Sequence, residues 1–99
     1  MLRHIVIFKF NDSSSETSIT HLISEFLQLK NQIDSLIDIE WGKNISPENY
    51  HQGFTDCFTL TFPSLELLND YQNHPAHLKF QTILKPHMEK VFVVDYIFD

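Results

Sequence analysis

A chain of 99 residues with a formal net charge of -6 and 42% hydrophobic residues fits one folded domain, expected to span residues 1–99, and is not disordered in composition. Seven Lys and Arg against thirteen Asp and Glu leave no basic surface for nucleic acid, and no run of about 18 apolar residues offers a membrane span. The lone cysteine, Cys57, rules out a disulfide within the chain and fits a reducing, cytoplasmic setting.

"LRHIVIFKF" (2–10) alternates. Leu2, His4, Val6, Phe8 and Phe10 point one way and Arg3, Ile5, Ile7 and Lys9 the other, the pattern of a strand with apolar groups on both faces. Asn11 to Ser15 carries turn and cap residues. From about 16 to 33, Ile19, Leu22, Ile23, Phe26, Leu29 and Ile33 recur at helical spacing and predict one buried stripe. "LIDIEWGKNI" (36–45) reads as a second strand, closed by the turn "SPEN". In "GFTDCFTLTF" (53–62), Phe54, Asp56, Phe58, Leu60 and Phe62 alternate with Thr55, Cys57, Thr59 and Thr61 and predict a third. Ser64 then caps a helix that turns Leu65, Leu68 and Tyr71 to one face. A second short helix runs from Pro75 to about Leu84, and "KVFVVDYIF" (90–98) predicts the last strand.

The order β-α-β-β-α-β specifies an α+β, ferredoxin-like plait: a four-stranded antiparallel sheet with the helices on one face. The other face stays open and amphipathic. In so small a domain that predicts a sheet-to-sheet homodimer.

Chemistry concentrates in "YQNHPAHLKF" (71–80). Pro75 suits the first helical position, because its missing N–H would be unpaired there anyway. His74 falls at the cap, with a helix-capping role and a ligand-binding role both open to it. His77 falls in the first turn, where the positive end of the helix disfavours a cationic imidazole. A neutral imidazole is the form a general base needs. Tyr71 fits either a core aromatic or a donor to a developing enolate oxygen. His4 fits either a core histidine or a pocket wall beside Phe8. His74 and His77 as a zinc pair lack the further spaced ligands that zinc requires. Cys57 reads as a small packing side chain, and Trp41 as a packing or dimer residue.

"RHIVIFKF", "WGKN", "GFTDCFTLTFPSLELLNDYQNHPAH" and "VVDY" occur in this order. Together they resemble the stress-responsive A/B barrel (Dabb) domain family over nearly the whole chain. The resemblance implies a dimeric α+β barrel in which two ferredoxin-like sheets pack face to face. It also implies a small-molecule pocket and, by similarity to a polyketide cyclase of the family, aldol-type or isomerase-like acid–base catalysis without a required cofactor. His77 is implied as the base, Tyr71 as its partner and His4 as a pocket residue. Some members hold Mg2+ on main-chain carbonyls, which here correspond to Lys30, Ile33 and Leu36. Asp34 stands where some relatives have proline. The alternative is a non-catalytic, ligand-binding or stress-response dimeric module.

Overall fold

The computed structural model describes Met1–Asp99. The elements follow as β1 (Leu2–Phe10), α1 (Glu16–Gln28), β2 (Asp38–Lys43), β3 (Asp56–Phe62), α2 (Leu65–Asn73), α3 (Pro75–Leu84) and β4 (Met88–Ile97). The strands form one antiparallel sheet in the order β2-β3-β1-β4. This is the ferredoxin-like α+β arrangement that the sequence pattern predicts.

The helices begin where side chains can satisfy free amides. Ser15 Oγ accepts the Ser18 N–H (3.0 Å) at the start of α1, and Ser64 Oγ accepts the Leu67 N–H (3.2 Å) at the start of α2. Such caps hold amides that have no partner inside the helix. Leu22, Ile23 and Phe26 of α1 and Leu68 and Tyr71 of α2 face the sheet. With Leu2, Val6, Phe8 and Phe10 of β1 and Phe58, Leu60 and Phe62 of β3 they belong to one core of 17 buried residues, completed by Leu29, Ile33, Leu36, Phe80 and Leu84. Phe26 stacks on Phe58 with ring centroids 4.3 Å apart.

Four boundaries differ from the sequence pattern. Helix α1 ends at Gln28 and tightens into a 3₁₀ turn over Leu29–Asn31, so Ile33 reaches the core from beyond the helix. Strand β2 starts at Asp38, because the Leu36 amide is held by the Ile33 carbonyl (3.2 Å) in a turn. Strand β3 starts at Asp56, because Gln52 and Gly53 adopt positive φ (52° and 85°) and turn the chain before it. Strand β4 starts at Met88, directly after a 3₁₀ turn over Lys85–His87. Leu65, expected to face inward, is exposed in the first turn of α2.

No helix is long and apolar enough to cross a membrane. The helices cover β1 and β3 but stop short of β4. Val91 and Val93 pair with the buried Phe8 and Val6, yet remain 42% and 47% exposed. That uncovered margin positions the site.

Candidate functional site

Helix α3 starts under strong local control. Pro75 occupies its first turn, and His74 Nδ1 accepts the Ala76 N–H (3.0 Å). The imidazole of His74 is thereby used as a cap. His77, one turn along, is half-buried, and its Nδ1–H donates to the Gln72 carbonyl (3.1 Å). A carbonyl can only accept, so this bond fixes the tautomer: the proton sits on Nδ1 and Nε2 keeps its lone pair.

His77 lines a cavity of about 320 Å³ between α3 and the sheet. Tyr71, His4, Phe8 and Phe80 share that lining with the apolar strand residues Val6, Val91 and Val93. The Tyr71 and His77 rings lie 4.4 Å apart, centroid to centroid, and the His4 and Tyr71 rings 6.3 Å apart. Ser35 Oγ is the only sealed polar side-chain atom without a partner, so the Tyr71 hydroxyl, on a residue only 1% exposed, is not stranded in the core.

His4 is buried on β1, directly across from Asp95 of β4 in the antiparallel register. Its Nδ1 bonds to the Asp95 carboxylate. A carboxylate accepts, so this bond orients the His4 ring with Nε2 free of that contact. The arrangement is a carboxylate, an imidazole, a phenol and a second imidazole in contiguous sequence through space.

Burial shifts two of these groups. It pushes the Tyr71 phenol well above its ordinary value, so the hydroxyl stays protonated and can donate throughout the physiological range. His77 is held below its ordinary value chiefly by burial, with a smaller repulsion from His4; the Gln72 carbonyl acts in the opposite direction. A neutral His77 beside a protonated Tyr71 pairs a proton acceptor with a hydrogen-bond donor on one wall.

The structure thus brings together His77, Tyr71, His4 and Phe8 at one cavity. It leaves His74 outside, in a separate surface depression with Asp34 and Asp70. There its Nδ1 is taken up by the Ala76 amide. Trp41 pairs with the buried Phe58, and its indole N–H donates to Asp56 Oδ2 (2.9 Å). It belongs to the helix-covered side rather than to the open face. Cys57 lies on the open face, opposite Ile7 of β1 and Gly42 of β2.

The magnesium expected at the carbonyls of Lys30, Ile33 and Leu36 gains no support from this segment. The Ile33 carbonyl already accepts the Leu36 amide, and the Lys30 ammonium is paired with Asp38 (3.2 Å). No group of three or more His, Cys, Asp or Glu side chains is arranged to hold a metal ion. Magnesium favours charged oxygen ligands in near-octahedral geometry.

Asp95 is the residue that sequence reasoning missed. "VVDY" marks the strand, but only the β1–β4 register shows that Asp95 faces His4, 91 residues away.

Comparison with known proteins agrees with this fold. The profile of the Stress Responsive A/B Barrel Domain matches residues 2–98. The stress-response A/B barrel domain-containing protein HS1 of Arabidopsis thaliana is 40% identical over 95 residues, covering 96% of this chain and 87% of that one. Olivetolic acid cyclase of Cannabis sativa is 32% identical, covering 96% and 94%. Among solved structures, hydroxynitrile lyase from Passiflora edulis superposes with a TM-score of 0.93 at 28% identity, covering 99% and 93%. A dimeric protein of unknown function with a ferredoxin-like fold from Bacteroides fragilis superposes with a TM-score of 0.77 at 27% identity, covering 98% and 95%. The chain belongs to the stress responsive A/B barrel domain family.

Proposed function

We propose that this protein is a cofactor-independent acid–base enzyme acting on a small carbonyl compound, with His77 as general base and Tyr71 as the group that holds the developing oxyanion. The observation that carries this reading is the neutral His77, fixed as its Nδ1–H tautomer, packed against a protonated Tyr71 on the wall of a cavity. His77 Nε2 takes a proton from the carbon next to a carbonyl. The C–H electron pair moves to form an enolate, and the Tyr71 hydroxyl donates a hydrogen bond to its oxygen. The enolate carbon then attacks a second carbonyl of the same molecule, the aldol-type cyclisation, or is reprotonated elsewhere, an isomerisation. In either case the His77 imidazolium returns its proton. Asp95 and His4 act as positioning groups beside Tyr71. A cyclase and a lyase among the relatives support carbon–carbon bond chemistry next to a carbonyl.

The protein acts as a homodimer joined through the open sheet face. Phe92, Val94 and Tyr96 are exposed there, and a structural relative is dimeric. A second reading, a non-catalytic ligand-binding dimer, is favoured by one observation: nine of the fourteen lining residues are hydrophobic.

Hydrogen exchange at the α-carbon of short- and medium-chain β-keto thioesters in D2O separates the two. The native protein accelerates exchange, and the rate falls as pH drops through the lowered His77 value. His77→Gln loses about 10²- to 10⁴-fold, and Tyr71→Phe about 10²-fold or more. Exchange no faster than in buffer, or unchanged in His77→Gln, overturns the enzymatic reading and leaves the binding one.

A further inference from the structure

Helix α3 brings more than His77 to the cavity. His77, Gln81 and Lys85 follow one another at intervals of four residues, so they share one face of the helix, and all three line the cavity. Lys85 continues the helical backbone at its C-terminal cap (φ -51°, ψ -42°). Eight residues at 1.5 Å rise put it about 12 Å along the axis from His77.

Lys85 is the one Lys or Arg in the lining. Five of the seven Lys and Arg in the chain have a charged or aromatic partner: Lys9 bonds Glu89 and Asp12, Lys30 bonds Asp38, Lys43 faces Asp56, Arg3 lies over Phe98 and Lys90 over Phe54. Lys90 is also held by the Gln52 carbonyl, and Lys79, outside the cavity, has no such partner. Lys85 has no carboxylate within salt-bridge distance, although the chain carries thirteen Asp and Glu. The carboxylates of β4 are engaged elsewhere, Glu89 by Lys9 and Asp95 by His4. A protein of net charge -6 repels anions at long range. An unpaired ammonium at the exposed rim of an apolar cavity is therefore a local exception to the overall field.

We propose that Lys85, with the Gln81 amide beside it, is an anion-reading subsite, and that the ligand has an apolar body with an anionic group, of carboxylate type, at the end away from His77. The proposal rests on the reading of this cavity as a ligand site and adds the class of molecule it accepts. The reacting carbonyl sits against Tyr71 and His77, the body packs on Phe80 and Leu84, and the anion meets Lys85 at the rim.

Octanoate and its neutral analogue octanamide test the subsite. Binding is measured by calorimetry to the protein at pH 8, where free histidines are almost wholly unprotonated. Octanoate is expected to bind about two- to fivefold more tightly than octanamide, the scale of an exposed ion pair, with the preference shrinking as salt is added. Lys85→Met keeps the apolar stem and is expected to abolish the preference without weakening octanamide. Lys79→Met, which changes a lysine on the same helix outside the cavity, keeps it. Equal binding of the two compounds to the native protein, or a preference that survives Lys85→Met, overturns the subsite while the cavity stands. Failure of both compounds to bind overturns the cavity as a ligand site, and the subsite with it.

Discussion

Strand β1 gives Leu2, His4, Val6, Phe8 and Phe10 to the helix-covered side of the sheet, where all five are buried, and Arg3, Ile5, Ile7 and Lys9 to the open side, where all four are half-buried. The strand is the same; what differs is what stands opposite. On the covered side, Phe8 and Phe26 meet Phe58, and the layer is closed by side chains. Toward β4 it parts into a cavity, where His4 is hydrogen-bonded and His77 is shifted toward neutrality. On the open side, Ile7 pairs with Phe92 and Ile5 with Val94, an apolar stripe with no helix above it. One face uses its apolar surface for folding and a pocket, and the other leaves it exposed.

That contrast sets measurable expectations. The largest concerns the closed part of the covered face. Phe58 is 1% exposed, and Phe58→Ala is expected to cost about 3–5 kcal/mol in urea unfolding. A loss below about 1 kcal/mol contradicts a tightly packed layer there. Next is the open face. Phe92, 53% exposed, contributes little to the fold of one chain, so Phe92→Asp is expected to leave the circular dichroism unchanged. Its mass in solution is expected to fall from dimer to monomer, because a charge is buried without a partner. A monomeric native protein at micromolar concentration, or a dimeric Phe92→Asp, refutes the assigned interface.

The smallest effect is the pH dependence of the covered face. His77 is held below its ordinary value in the fold, so the unfolded chain takes up that proton more readily. Stability is unaffected by this group well above the ordinary histidine value of about 6.5, and falls as pH drops below it. The decline between about pH 7.5 and 5.5 should be shallower in His77→Gln than in the native protein. An equally steep or steeper decline in the variant runs against a desolvated, neutral His77.

The strands and the start of α3 were legible because their signals are local. Period-two alternation placed Phe58, Leu60 and Phe62 inward, and the "HPAH" block put Pro75 at a helix start with His77 in the first turn. Asp95 was not legible, because its role depends on which strand lies beside β4 and in what register. The same holds for Trp41: its alternation was visible, but only pairing with Phe58 fixes which face it shares. His74 and His77 look alike in sequence, and the hydrogen bonds to Ala76 and Gln72 separate a helix cap from an imidazole held at the cavity wall. Lys85 carried no motif. It stands out only as the one cation in the cavity lining, with no carboxylate beside it.

The bond between His4 and Asp95 joins the first strand to the last. It therefore makes the site late in time as well as distant in sequence. Closing a loop of that length costs entropy before any contact repays it. A chain emerging from synthesis holds both Phe26 and Phe58 before β4 is present to orient His4. Until β4 docks, His4 lacks its anchor and the cavity lacks the wall formed by Val91 and Val93. The cavity is thus complete only once the last strand of the sheet has docked.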